Sequence, residues 1–385
     1  MIPYGRQNIN QADIDAVVKT LKSDFLTQGP AIPAFEAALA TKVGAKHAVA
    51  VNSATSALHI AVAALDLGPG DLLWTSPITF VASANCARYC GADVDFVDID
   101  ADTFNMCPDA LAAKLKQADQ SDRLPKVIVP VHMCGQSPNM KRISQLARQY
   151  GIRIVEDASH AVGASYDGAP VGSSRFSDIT VFSFHPVKII TSGEGGVALT
   201  NDADLASRLE RLRSHGITRD PQMMTGPSEG GWYYQQLELG WNYRMTDIQA
   251  TLVHSQLDRL DEFVTRRNVL AEKYDELLGE TPLALPHREP LAHSSFHLYV
   301  VRLPEPDPDR HQEIFAHLRA SGIGANVHYI PVHLQPYYAS MGFRPGDFPA
   351  SESYYQRSIS IPLYPDLTQD DQDHVAMMLK TALAI

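Results

Sequence analysis

The stretch FSFHPVKIITSGEGG, Phe182 to Gly196, decides how this chain is read. The run that leads into it, SDITVFSFH, alternates and reads as a β-strand, and GGVALTN at its end reads as another. Lys188 therefore falls on the link between two strands, between an apolar run and a glycine cluster. A lysine on a turn is usually a solvated side chain. A second reading is an amine in a partly desolvated cleft, where it becomes a nucleophile able to form a Schiff base. The surrounding sequence has to choose between them.

Working outward, strand-like runs alternate with helix-like ones from about residue 47 to 200. The strands are HAVAVNS, DLLWTS, DVDFVDI, KVIVPVHM, IRIVEDAS, DITVFSFH and GGVALTN. Helical segments such as TSALHIAVAALD, ITFVASANCARYCG and NMKRISQLARQYG lie between them. The alternation predicts an α/β domain around a mostly parallel sheet, with ligands bound beyond the carboxyl ends of the strands. Apolar residues at spacings of three and four then predict one long helix from Met245 to Gly279, a connector between domains. After the proline-rich ETPLALPHREP comes a smaller α+β pattern: strand SFHLYVVRL, helix RHQEIFAHLRASG, strands GANVHYI and SISIPLY, and a helix from Asp371. The expected organisation is a large domain over 1–244, a connector over 245–279 and a small domain over 280–385.

The totals exclude several classes. A chain of 385 residues with 45% apolar content can bury a large core, and its net charge of −12 (32 basic against 44 acidic) comes without a basic block. Binding to nucleic acid or an anionic membrane is therefore not expected. No apolar run reaches the ~18 residues of a membrane span, and MIPYGRQNINQADID lacks the pattern of a signal peptide. Cys86, Cys90, Cys107 and Cys134 have no zinc or iron–sulfur spacing and read as free thiols, so no metal is expected. The expectation is a reduced, cytoplasmic enzyme.

Two further segments carry chemistry. VNSATSALHIAV runs from a strand end through Ser53, Thr55 and Ser56 into a helix, whose start offers free N–H groups and hydroxyls to a phosphate, or is simply capped by Ser53 or Thr55. Glycine fingerprints of dinucleotide and P-loop sites are missing. In IRIVEDASHA, Asp157 follows a buried strand, where a carboxylate is costly unless it is paired. A protonated ring nitrogen of a cofactor would pair it; capping of the next residues is the plainer role. His160 lies three residues on and either faces the same site or packs.

In this order, with LTQGPAIPAFE, NSATSALHIA, SPITFVASAN, VEDASHAVGA, FSFHPVKIITSGEGG, LRSHG, WNYRMTDIQA and NVHYIPVH, the chain resembles the sugar-nucleotide aminotransferases of the DegT–DnrJ–StrS group, fold-type I enzymes that use pyridoxal phosphate. The resemblance implies that Lys188 bears the cofactor. It implies that Asp157 keeps the pyridine nitrogen protonated, so that the ring is an electron sink. It places His160 near the ring hydroxyl, Phe80 on the ring face, and Ala54, Thr55 and Ser183 at the phosphate. Ala54 departs from the glycine of many relatives. The glycines after Lys188 let the backbone pass close to the cofactor. Asn242 reaches the phosphate in a neighbouring subunit, which implies a homodimer with shared sites.

The implied reaction converts the cofactor to pyridoxamine phosphate with L-glutamate as donor, then aminates a keto group on a nucleotide-linked sugar. Lys188 shuttles the proton. Relatives that dehydrate sugars carry His at the lysine position, so Lys188 favours transamination. IPYGRQNINQADIDAVVKTLKSDFLTQGP, NSATSA and VHYIPVHLQPYY most resemble the transaminases of pseudaminic acid biosynthesis, which aminate C4 of a UDP-linked 4-keto-6-deoxy-N-acetyl sugar. On that resemblance Tyr4, Leu26 and Thr27 line the sugar pocket, His328 and Tyr329 approach from the small domain, and Arg244 meets the diphosphate. Tyr4 as a terminal anchor and His328 as a structural residue are the plainer roles. The alternatives are transamination of another nucleotide-linked keto sugar, such as an aminoarabinose, perosamine or 3-amino sugar precursor; a cofactor-binding regulator without turnover; and a redox enzyme on a Rossmann-like sheet.

Overall fold

In a computed structural model, which describes residues 1–383, the seven strand-like runs form one sheet. Its strands are β1 (His47–Val51), β2 (Leu72–Thr75), β3 (Asp93–Phe96), β4 (Val127–Val129), β5 (Arg153–Asp157), β6 (Ile179–Ser183) and β7 (Gly196–Thr200). Their spatial order is β1-β7-β6-β5-β4-β2-β3. From β6 to β3 all neighbours are parallel, whereas β7 runs against both β6 and β1. The strands are short, almost continuous apolar runs because both faces are covered.

Helices α1 (Gln11–Leu21), α2 (Ala31–Val43), α3 (Ala54–Ala64), α4 (Ala82–Tyr89), α5 (Pro108–Gln120), α6 (Met140–Gln149), α7 (Ala203–Leu212) and α8 (Asp247–Leu257) surround the sheet. Alternate strand residues feed opposite layers, as the two-residue period of a strand requires. Val49, Val51, Leu73, Val155 and Val181 pack with α3, α4 and α7. Ala48, Ala50 and Phe182 pack with α2 and α8, and Trp74, Ile128 and Ile154 with α5 and α6.

The single helix expected over Met245–Gly279 is two helices, α8 and α9 (Leu260–Leu278), with a turn at Asp258–Arg259. The apolar period continues across the turn, so the pattern alone hides it. What Arg259 does there explains the interruption: its guanidinium reaches Asp13 Oδ2 (2.5 Å) and Asn8 Oδ1 (2.7 Å). Asp13 is fully buried on α1, and a carboxylate there needs a cation.

Beyond α9, strands β8 (Tyr299–Arg302) and β9 (Ser358–Ile361) pair antiparallel. They share a core with α9, with α10 (Pro308–Ala320) and with the helix Gln369–Leu383. Two expectations change here. GANVHYI is not a strand: only Gly324 belongs to one, Asn326 makes a lone bridge to Ser360, and the remainder is a loop. The first residues also run with this part of the molecule, since Ile2–Pro3 pairs with Ile323–Gly324 and Ile2 packs on its core.

Candidate active site

The reversal between β6 and β7 decides where Lys188 lies. A chain that leaves β6 and returns antiparallel must turn at the carboxyl end of β6. Parallel β5 delivers Asp157 to that same end, and β1 delivers the start of α3 there. The loop is held by Phe184 N–H donating to Gly195 O (2.9 Å), Ser192 N–H to Phe184 O (2.9 Å) and Lys188 N–H to His185 O (2.9 Å). Phe184, Ile189 and Ile190 anchor it in the core. Gly196 is obligatory for packing: a Cβ there would lie 2.5 Å from Ala54 N and 2.6 Å from Ser53 O. The glycine thus lets β7 pass beneath the start of α3.

These elements enclose a cleft of about 490 Å³. Tyr4, Ala54, Thr55, Phe80, Asp157, His160, Ser183, Lys188, His328 and Tyr329 line it, ten of the positions singled out from the sequence. Leu26, Thr27, Asn242 and Arg244 do not line it. They gather outside, around the start of α8: Thr27 bridges Thr246, Leu26 O accepts from Asp247 N–H (3.0 Å), Arg244 bridges Val51 and Asn242 bridges Ser214. A larger trough of about 570 Å³ lies beside β3, but its Lys114 and Arg88 are already paired with Asp95 and Asp93.

One end of the cleft is built for an anion. Ser53 caps α3 by accepting from Ser56 N–H (3.1 Å), so the capping expectation holds. The N–H groups of Ala54 and Thr55 have no acceptor among the described residues, and they open the positive end of an eleven-residue helix. Ser183, on β6, adds a hydroxyl.

At the other end Asp157 is 5% exposed. Its Oδ2 accepts from Ser83 Oγ (2.5 Å), which is itself bonded to Thr79 Oγ1 (2.7 Å). Its Oδ1 accepts from Ser159 N–H (3.1 Å) and Ser159 Oγ (2.6 Å). The last pair is a local turn, not a helix cap, because no helix follows Asp157. Three donated bonds fix the carboxylate in place beside the cleft.

Burial pushes the Lys188 amine down to about 8, with the charge of Asp157 acting the other way. Three imidazoles stand around it. The ring of His160 packs on that of His297 at 4.4 Å between centroids, and its Nε2 lies 3.2 Å from Tyr329 Oη. His297 Nε2 lies 3.5 Å from Lys188 Nζ. His328 Nδ1 lies 2.8 Å from Ser360 Oγ, so this residue is a structural tie as well as a wall of the cleft. Burial first, and then the lysine charge, hold His160 and His297 well below the usual histidine range and His328 at about 3. Tyr4 likewise has two roles: it lines the cleft, and its carbonyl accepts from Leu363 N–H (3.0 Å). Phe80 is 57% exposed with its ring 6.1 Å from that of Tyr329, an aromatic face turned to the opening.

Pyridoxal phosphate matches this donor set: an anion cradle, a buried carboxylate for a protonated ring nitrogen, an aromatic wall and an amine for an aldehyde. Sequence reasoning missed Ser83, Ser159 and His297. Both serines sit inside SPITFVASAN and VEDASHAVGA, but a small hydroxyl residue gives no signal of its own. His297 lies in the strand-like SFHLYVVRL, where it reads as one more core position.

Known proteins resemble this chain over nearly its whole length. The spore coat polysaccharide biosynthesis protein SpsC of Bacillus subtilis is 39% identical, over 97% of this chain and 95% of its own. The UDP-4-amino-4,6-dideoxy-N-acetyl-beta-L-altrosamine transaminase of Campylobacter jejuni is 37% identical, over 97% and 96%. Among solved structures, Spr1654 from Streptococcus pneumoniae in its PMP form superposes with a TM-score of 0.92 at 31% identity, covering 99% of both chains. A family model spans residues 7–380, so nearly the whole chain, and not the cleft alone, belongs to the DegT/DnrJ/EryC1/StrS aminotransferase family.

Proposed function

We propose that this sugar aminotransferase transfers the amino group of L-glutamate to C4 of a UDP-linked 4-keto-6-deoxy-N-acetylhexosamine, the amination step of pseudaminic acid biosynthesis. One observation carries the chemistry: the Lys188 amine and the buried Asp157 carboxylate face a single cleft that ends on the free N–H groups of α3. The transaminase from Campylobacter supports the choice of sugar. SpsC, at 39% identity, keeps a second reading open, transamination of a different nucleotide-linked keto sugar.

Pyridoxal phosphate, when bound, supplies an amino-group carrier and an electron sink. The protein supplies the rest. Ala54 and Thr55 N–H groups, the Thr55 hydroxyl and the Ser183 hydroxyl hold the phosphate. Asp157 holds a proton on the ring nitrogen, and Ser83 and Ser159 fix the carboxylate that does so. Phe80 would cover one face of the cofactor ring and His160 would sit by its hydroxyl. Lys188 Nζ, lowered to about 8, takes up and returns the proton that moves during each half of the reaction near neutral pH. Tyr4, His328 and Tyr329 line the side where the sugar enters.

Leu26, Thr27, Asn242 and Arg244 sit beside the start of α8, away from their own cleft. Their position supports a homodimer in which this strip completes the cleft of a second copy, Asn242 at the phosphate and Arg244 at the diphosphate. Among the described residues the Arg244 guanidinium has no acidic partner. No helix among the described residues is long and apolar enough to cross a membrane.

The test pairs the enzyme and L-glutamate with UDP-, GDP- and dTDP-linked keto sugars and weighs the products. Amination of the UDP-linked 4-keto-6-deoxy-N-acetyl sugar above the others is expected. Preference for another nucleotide or another keto position would reject the substrate and leave the transaminase.

A further inference from the structure

The His297 ring is 4% exposed and its Nδ1 has no hydrogen-bond partner. Among the described residues the ring has a single hydrogen-bond partner, Lys188 Nζ at 3.5 Å from Nε2, and the lysine amine has no other hydrogen-bond partner. His59, His132, His160 and His333 are likewise buried with one ring nitrogen unpaired, but each of those pairs with a hydroxyl or a carboxylate, whereas His297 pairs with an amine. Its backbone is fixed from behind. Arg267, 1% exposed on α9, donates through Nη1 to the carbonyls of Phe296 (3.2 Å), His297 (3.4 Å) and Leu363 (2.9 Å), and has no acidic partner among the described residues.

We infer that His297 is a positioning residue for Lys188: its neutral ring accepts a hydrogen bond from the lysine amine through Nε2, which aims the amine and stabilises its protonated form. The inference rests on Lys188 being the reactive lysine. The groups facing this pair are Asp157 from β5, His160 from the following turn, His328 and Tyr329 from the 324–330 loop, Tyr4 from the chain start and Arg267 from α9. Burial opposes a proton on His297 most, then the charge of the lysine, followed by His160, the Arg267 guanidinium and His328. A neutral ring that receives a proton donor at Nε2 must carry its own hydrogen on Nδ1. An ammonium in a cleft of low polarity gains from such an acceptor, so losing the acceptor lowers the pKa of the lysine further.

The full chain without cofactor is labelled with trace acetic anhydride over a pH series, and the Lys188 peptide is quantified by mass spectrometry. In His297→Phe the midpoint of Lys188 labelling should fall by roughly half to one pH unit. His297→Gln, which keeps an acceptor, should return most of the shift. An unmoved midpoint in His297→Phe, or a Gln variant no different from Phe, overturns the inference. A second measurement needs no variant: with ¹⁵N-labelled histidine at pH 6.5, His297 should be neutral with its proton on Nδ1, and a proton on Nε2 overturns the inference. Borohydride reduction of the holoenzyme, mapped to a peptide, separately tests Lys188 as the cofactor lysine. Failure there would sink the underlying reading whatever the labelling midpoint does.

Discussion

Two regions of this molecule were both expected to touch ligand, and they are built differently. The cleft at the carboxyl ends of β1, β5 and β6 is formed from one chain, and its Asp157 is buried and held by three hydrogen bonds. The strip at the start of α8, with Leu26, Thr27, Asn242 and Arg244, is part of the surface: Leu26 is 47% exposed, and none of the four lines the cleft. The contrast teaches that the machinery for moving a proton is self-sufficient within a subunit. On the function proposed above, substrate binding would be divided between the loop over 324–330 and a surface lent by a second copy. The predictions below test each side of that contrast.

The largest effect falls in the cleft. Lys188→Ala removes the only amine among the described residues that lines the cleft with Asp157 and should cost several orders of magnitude in turnover, since a nucleophile and proton carrier are lost together. Folding should persist, because the side chain has one hydrogen-bond partner. Borohydride treatment of the native protein should leave the cofactor mass on the Lys188 peptide. A label on another lysine would break the assignment.

Asp157→Asn comes next. The amide keeps the shape and loses the charge that holds the ring nitrogen protonated. A lost electrostatic contact at developing charge typically costs ~10²–10³ in rate. Cofactor should still bind, because Ala54, Thr55 and Ser183 lie at the other end of the cleft. If Asp157 served only the turn with Ser159, turnover per folded site would stay near normal while stability fell by ~1 kcal/mol. Single-turnover rates with glutamate, measured beside the melting temperature, separate the two.

How much of this was legible in the sequence follows from the same physics. All seven strands were, because strands covered on both faces are written as apolar runs bounded by turn residues. Lys188, Asp157 and the start of α3 were legible because each sits at a strand end, where the topology leaves few places to go. The break at Arg259 was not, since the Asp13 that Arg259 turns to meet lies 246 residues away. Nor was the loop over 324–330: GANVHYI has the composition of a strand, but only Gly324 and Asn326 find strand partners. His297, Ser83 and Ser159 were missed because their roles come from neighbours distant in sequence or from hydroxyls with no pattern.

Acid should act on both regions through buried histidines, His160, His297 and His328 in the cleft and His59 packed on Trp241 and Tyr243 beside the strip. His160 and His297 are held well below the usual range, His328 at about 3 and His59 at about 4, each first by burial. For a histidine lowered on folding, the unfolded chain takes up a proton below about 6.5 while the folded ring stays neutral. Stability is therefore unaffected above that pH and falls as pH drops toward the folded values. Each such ring adds a slope of about 1.4 kcal/mol per pH unit in the window between. Urea unfolding from pH 7 to 4.5 should show the loss steepening below 6.5. His59→Phe, remote from the cleft, should flatten it by one proton, and an unchanged slope would reject that ring as a contributor.

The smallest signal tests the division itself. Lys188→Ala and Asn242→Ala should each be inactive or nearly so, for different reasons: one lacks the amine in its own cleft, the other the group it would lend to a second copy. Suppose the two chains are mixed and allowed to exchange. Random pairing makes half of the dimers mixed. In a mixed dimer one site combines both defects and the other combines Lys188 from one chain with Asn242 from the other, so half of its sites are intact. Recovery should approach about a quarter of wild-type activity per site. The expected figure is small but specific, because a strip serving its own cleft gives no recovery at any mixing ratio. Exchange must be confirmed independently, with mass-tagged subunits. Full exchange without recovered activity would place Asn242 outside the shared site, and the contrast between a self-contained cleft and a lent surface would fall.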